Sequence, residues 1–317
     1  MLGPALLLGG IAALLLPWLF VRRLRPGRPA LPNSRPNALQ IGFTDIGQHP
    51  VRFSSVGGAA AAKAALLRLS APLRPMPSDQ DLPETRSGSY RAAMNAVGGV
   101  LHGPPGCGKS LLARALAGEL NLPLFTISAA ELVRLPTEIA ERQLRELFAA
   151  AVQRAPCLLL IDELDALATA RTAARAAGGA GEVLVGLLLS LLDGLSRQPP
   201  RVVVLGTARG LDRVDETLLR IDRLMRAVAL TLPETRERSE IIALLAREHP
   251  ELAGLDVLAL AARTDGHSGA SLRELLARAA RHAAERQRSD PASPAGVEAA
   301  DLEHALTAVP ARPPAAG

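Results

Sequence analysis

A chain of 317 residues has room for about two domains with appendages, and its 48% hydrophobic content must build an aliphatic core because only 2% is aromatic. The formal charge of +5 is local: Arg22, Arg23, Arg25, Arg28 and Arg35 precede the first acid, Asp45, and without those five the 36 basic residues fall to 31, equal to the 31 acidic ones. With no basic stripe elsewhere and few rings to stack on bases, nucleic acid is not an expected partner. The two cysteines, Cys107 and Cys157, form no disulfide framework and suit a reducing compartment.

Leu2 to Val21 is an uncharged, mostly apolar run of about 30 Å as a helix, the thickness of a bilayer core. Trp18 lies near its C-terminal end and the arginines follow at once, so the charge order is opposite to that of a secretory signal. Residues 1–21 therefore read as a single transmembrane helix that places the rest of the chain in the cytoplasm. Residues 22–45 read as a basic, Pro-rich linker beside the lipid headgroups.

From residue 46 to 232, short apolar runs alternate with helical patterns, which predicts an α/β domain with a parallel sheet covered on both faces. An Ala-rich helix is expected at about 59–69, and a polar loop at about 75–95. Strands are expected at Gly99–His102, Leu124–Ile127, Cys157–Ile161, Val202–Leu205 and Ala227–Leu232. Ile139, Leu144, Leu147, Phe148, Ala151 and Val152 mark one helical stripe. Residues 233–309 show no strand pattern and read as helices at about 236–247, 255–263, 271–287 and 299–307. Residues 310–317 read as a disordered tail.

Two motifs carry chemistry. Gly103-Pro104-Pro105-Gly106-Cys107-Gly108-Lys109-Ser110 follows one strand and opens a helix expected at Ser110–Glu119. Its glycines let backbone N–H groups wrap phosphates at a helix N-terminus. Lys109, one of only two lysines in the chain, supplies a compact ammonium to the terminal phosphates, and Ser110 a hydroxyl to Mg²⁺. Leu158-Leu159-Leu160-Ile161-Asp162-Glu163 then delivers two carboxylates to the end of a buried strand. Asp162 is placed in the Mg²⁺ shell, and Glu163 is placed to orient and activate the attacking water. The expected ligands are ATP and Mg²⁺.

With these motifs the chain resembles AAA ATPases, nearest in local wording to the ATPase module of membrane-bound FtsH-type proteases. The likeness runs from about Phe53 to Leu306 and includes Val56-Gly57-Gly58, the phosphate loop, Ala155-Pro156-Cys157, the Asp162-Glu163 run, Leu192-Asp193-Gly194-Leu195 and Gly266-His267-Ser268-Gly269-Ala270-Ser271-Leu272. The resemblance implies a five-stranded parallel sheet, a four-helix lid, and a homo-oligomeric ring, commonly a hexamer, with ATP at subunit interfaces. It also implies ATP contacts from Val56, Gly57, Leu111, Gly269 and Ala270, and arginine fingers at Arg220 and Arg223 acting on a neighbour's γ-phosphate.

The sequence departs from the family's pattern at several points. No His-Glu-x-x-His zinc signature occurs, so the protease domain is not expected, and the six histidines are scattered. Where relatives place a water-holding Asn after the fourth strand, this chain offers Arg209, or Ala208 with a one-residue gap, with Thr207 as a stand-in. Pro136 stands in the position of the pore-loop aromatic, and Leu245 in that of a nucleotide-contacting His. The expected function is a membrane-anchored ATPase that remodels, unfolds or extracts a client protein. A weakly hydrolysing, ATP-dependent scaffold or regulator at the membrane is the alternative.

Overall fold

The computed structural model describes residues 42–44, 51–73, 98–168, 180–196, 201–220, 223–290, 292–294 and 296–311. The expected membrane helix, most of the linker, the loop at 75–95 and the tail beyond residue 311 lie outside these residues. Among the described residues, no helix is long and apolar enough to cross a membrane.

Six strands form one sheet: β1 (Gly42–Thr44), β2 (Gly98–His102), β3 (Leu124–Ser128), β4 (Cys157–Asp162), β5 (Val202–Ala208) and β6 (Arg226–Ala229), in spatial order β1-β3-β4-β5-β2-β6. The five strands β2 to β6 are mutually parallel. β1, at one edge of the sheet, pairs antiparallel with β3, with Phe43 and Phe125 at the same register position. The sequence reading assigned residues 42–44 to the linker; a three-residue strand that pairs 80 residues downstream has no local periodicity to reveal it.

All seven residues of β5 are buried, as expected of a central parallel strand covered on both faces. Alternation along β4 sends Leu158 and Leu160 into a core shared with helices α1 (Ala60–Leu69) and α2 (Lys109–Leu120). Leu159 and Ile161 face the opposite side, where α4 (Thr137–Gln153) packs on β4 and on α5 (Ala180–Ser196); the four-residue α3 (Ala129–Leu132) precedes α4. The buried stripe of α4 is Ala140, Gln143, Leu144, Leu147, Phe148 and Ala151. Ile139 and Val152, expected on that stripe, are 37% and 38% exposed. At roughly 100° per residue both lie more than a quarter turn from its centre.

The lid contains α6 (Thr235–Arg247), α7 (Val257–Arg263), α8 (Gly269–Ser289) and α9 (Ala299–Ala308) around Ile242, Leu252, Leu260, Leu272, Leu276 and Ala305. Local chemistry starts each helix. Asp256 accepts from Ala259 N–H, Ser268 accepts from Ser271 N–H, and Asp301 reaches back to Glu298 N–H at 2.9 Å. Arg238, only 2% exposed, ties α6 to α7 through Pro233 O, Thr235 Oγ1, Ala261 O and Asp265. A charge buried this deeply is tolerated because each nitrogen of its guanidinium meets an acceptor.

Candidate functional site

β2 ends at His102 and the chain turns through Gly103 to Gly108 into α2. Gly108 holds φ +86° at the N-cap of α2, a left-handed conformation that frees the first amides of the helix to face outward. Lys109 Nζ donates to Gly103 O at 2.7 Å and Pro104 O at 2.8 Å, curling over the loop. Burial lowers its pKa; Cys107, Asp162 and Asp165 oppose that shift, and Arg209 adds to it. An anion seated in the loop would favour the charged ammonium.

Asp162 ends β4, and Ser110 opens α2 directly opposite. Ser110 Oγ lies 2.9 and 2.8 Å from the two Asp162 oxygens. This pair fits Mg²⁺, which keeps most of its waters and takes one or two protein oxygens. Among the described residues, no cluster of three or more His, Cys, Asp or Glu forms an all-protein metal cage.

Glu163 follows in a left-handed conformation, φ +58°, that is costly for a residue with a Cβ. Its N–H donates to Thr207 Oγ1 at 3.0 Å, and the Thr207 hydroxyl in turn donates to Asp162 Oδ1. Thr207, 2% exposed on β5, thus fixes the backbone of one carboxylate and the side chain of the other. Ser128, at the end of β3, places Oγ 3.5 Å from Glu163 Oε2. Ala208 completes β5 with no polar side chain, and Arg209 follows it.

The lid closes the cavity from above. Ala270 N–H donates to Gly106 O at 3.1 Å, and a Cβ on Gly106 would lie 2.6 Å from Ser268 Oγ, so only glycine permits this approach. Gly57 is equally close to the backbone of Ile241 on α6. Beside it, Gly58 N–H donates to Glu240 at 2.9 Å and Ala59 N–H to Glu237 at 2.7 Å, so lid carboxylates cap the N-terminus of α1. Lys63 is placed among these two acids; burial lowers its pKa while their charges oppose the shift.

A cavity of about 1140 Å³ joins these parts. Of the residues expected from sequence, Val56, Gly57, Pro105 to Leu111, Asp162, Glu163, Gly269 and Ala270 all line it. Gly103 and Pro104 contribute their carbonyls to Lys109 from just outside. Leu245, in place of the expected His, lines the cavity as an apolar wall.

Arg220 and Arg223 do not line it. Arg220 is exposed, whereas Arg223 is held bidentately by Asp193 (Nε–Oδ1 2.7 Å, Nη2–Oδ2 3.0 Å) and donates to Thr217 O. His267 is buried, with Nε2 2.9 Å from Val309 O. Glu237, Glu240 and Ser128 are not singled out by the sequence, and Asp193 figures there only within the Leu192–Leu195 motif, with no role toward Arg223. Nothing local distinguishes them from ordinary polar positions; only the fold brings them to the site.

Comparison with known proteins agrees with this geometry. Residues 100–232 match the family described as "ATPase family associated with various cellular activities (AAA)". The ATP-dependent zinc metalloprotease FtsH 2 of Symbiobacterium thermophilum is 36% identical over 247 residues, covering 77% of this chain and 40% of that protein. The ATP-dependent zinc metalloprotease FtsH 3 of Sphaerobacter thermophilus is 39% identical over 216 residues, 68% of this chain and 42% of that protein. The FtsH of Mycoplasmoides gallisepticum is 33% identical over 245 residues, 76% of this chain and 30% of that protein. The chain therefore spans less than half the length of these relatives. It carries an AAA domain homologous to the corresponding region of FtsH proteins.

Proposed function

We propose that the AAA domain of this chain hydrolyses ATP and couples that reaction to remodelling, unfolding or extraction of a client protein, from a homo-oligomeric ring anchored in a membrane by residues 1–21. The observation that carries the catalytic part is the meeting of Lys109, the Ser110–Asp162 pair and Glu163 at the C-terminal edge of a parallel sheet, under a lid. Loop amides and Lys109 neutralise the phosphates. Ser110 and Asp162 would hold Mg²⁺, which when bound neutralises charge on the terminal phosphate oxygens. Glu163 orients a water and takes its proton as that water attacks; the leaving diphosphate gains the P–O electron pair. Arg220 and Arg223 lie off the chain's own cavity, which supports a role toward a neighbouring subunit's γ-phosphate. In that role Arg223 first exchanges Asp193 for phosphate.

A second reading, a weakly hydrolysing scaffold or regulator at the membrane, is favoured by Ala208, which ends β5 without an amide. The aromatic-free link from α3 to α4 (Val133 to Pro136) also favours it. Steady-state hydrolysis and equilibrium binding of Mg·ATP by the full chain in detergent separate the two. Turnover that Glu163→Gln and Arg223→Ala abolish, with binding retained in Glu163→Gln, supports the first. Tight binding with no turnover in the parent supports the second. No affinity for Mg·ATP would remove both.

A further inference from the structure

Three alanines open α1, and Lys63, the one lysine outside the phosphate loop, is the first long side chain on that helix. Its Nζ turns back past the helix start and donates to Val56 O. The neighbouring amides are engaged in turn: Val56 N–H donates to Phe53 O at 3.2 Å, Gly58 N–H to Glu240 at 2.9 Å, and Ala59 N–H to Glu237 at 2.7 Å. Among the described residues, the Gly57 N–H is the one amide from Val56 to Ala59 without a partner. The Gly57 C=O has none either, and Gly57 lines the cavity, whereas Gly58 does not.

These two groups are held by contacts one atom removed. Val56 C=O and Gly57 N–H belong to one peptide unit, and Gly57 C=O and Gly58 N–H to the next. Both units are planar and trans, so the two polar groups of each point in opposite directions. By holding Val56 O, Lys63 fixes the direction of the Gly57 N–H; by holding the Gly58 N–H, Glu240 fixes that of the Gly57 C=O. A Cβ on Gly57 would lie 2.6 Å from Ile241 N, so the segment has no slack toward the lid. Val56, Ile241, Leu244 and Leu245 line the same part of the cavity as an apolar wall, away from the phosphate loop, and such a wall suits a planar base.

We propose that Lys63 is a positioning residue for nucleobase selection: its grip on Val56 O aims the Gly57 N–H at the edge of the bound base. This rests on the reading of the cavity as a nucleotide site. Adenine presents a ring acceptor beside an exocyclic amine, and guanine presents a ring N–H beside a carbonyl, the reverse order. A donor and an acceptor fixed on either side of Gly57 match one order and leave the other unpaired, which is how a polar site rejects a near-isostere. Lys63 touches no part of the nucleotide itself. Without its ammonium the Val56–Gly57 peptide unit is free to rotate, and the donor loses its direction.

The test measures dissociation constants of Mg·ATP, Mg·ADP and Mg·GTP on the full chain in detergent carrying Glu163→Gln, so that the triphosphates stay intact. That protein should prefer ATP to GTP. Adding Lys63→Met should weaken Mg·ATP and Mg·ADP alike, about tenfold, and leave Mg·GTP within about twofold. Lys63→Arg, which keeps a charged donor, should retain most of the preference. An equal loss for ATP and GTP makes Lys63 a purely structural residue and overturns the proposal, as does a loss confined to ATP over ADP, an unchanged ATP affinity, or a parent indifferent to the base. If no nucleotide binds before Lys63 is touched, the site reading fails and this inference with it. Should Lys63→Met not fold, Lys63→Gln, too short to reach Val56 O, decides by the same ratios.

Discussion

Thr207→Val removes one hydroxyl and keeps the β-branched shape that suits β5. That hydroxyl donates to Asp162 and receives the Glu163 N–H at 3.0 Å, in a side chain that is 2% exposed. Losing a hydrogen bond to a carboxylate costs about 1.5–3 kcal/mol, and a stranded amide costs about 1–3 kcal/mol. The two losses overlap, because Asp162 retains its contacts with Ser110. A destabilisation of ~3 kcal/mol follows, a large share of a typical domain's stability but short of unfolding it.

The effect on chemistry is sharper. Glu163 sits at φ +58°, a conformation that costs about 1–3 kcal/mol and that the Thr207 bond helps to hold. Released from it, the backbone relaxes and the carboxylate shifts; a misplacement of about 1 Å is worth on the order of a hundredfold in rate. Urea denaturation followed by circular dichroism reads the first effect, and single-turnover hydrolysis of Mg·ATP the second. Thr207→Ser should restore both. A Val variant as stable and as fast as the parent, or a Ser variant as impaired as Val, would refute the assignment of Thr207.

Two further outcomes are expected. In the lid, burial works against the Asp301 charge, but the Arg286 hydrogen bond, the Glu298 N–H and the Arg286 charge outweigh it and hold the carboxyl below its usual value. Its stabilising contribution is present above the unfolded carboxyl value of about 3.9 and is lost as pH falls through the lower folded value. Asp301→Asn should therefore cost about 1.5–3 kcal/mol near neutrality, with the gap to the parent closing in acid. Denaturation midpoints measured across pH test this, and a gap independent of pH would contradict it. The cysteines differ in reactivity. Burial pushes the Cys157 thiol up to about 12, whereas Cys107 is only partly buried in the phosphate loop. Burial raises Cys107 as well, with Lys109 opposing. An alkylating agent at mildly alkaline pH should modify Cys107 slowly, spare Cys157, and be blocked from Cys107 by Mg·ATP; mass spectrometry of the digested protein would show the opposite order if this is wrong.

The parts of the site legible in the sequence are those whose chemistry is carried by neighbours in the chain. The loop from Gly103 to Ser110 and the apolar run into Asp162 and Glu163 announce themselves, because backbone geometry and charge must lie within a few residues. The lid helices were legible through periodicity, with ends within a few residues of those observed. Contacts between distant segments were not. Thr207 reads from sequence as a stand-in for a water-holding amide, but not as the clamp on Asp162 and Glu163, which lie 45 and 44 residues away. The β1 edge strand and the Asp193 clamp on Arg223 depend on pairing that no local pattern encodes.

The start of α1 has no cap of its own. Ala59 sits left-handed at φ +55°, and the amides of Gly58 and Ala59 are met by Glu240 and Glu237, 182 and 178 residues further along. The rim beside the expected base position thus borrows its order from the first helix of the lid. Truncation after residue 232 would strip more than a cover: it would strand both amides and let the first turn of that helix fray. Nucleotide grip and lid integrity would then fail together.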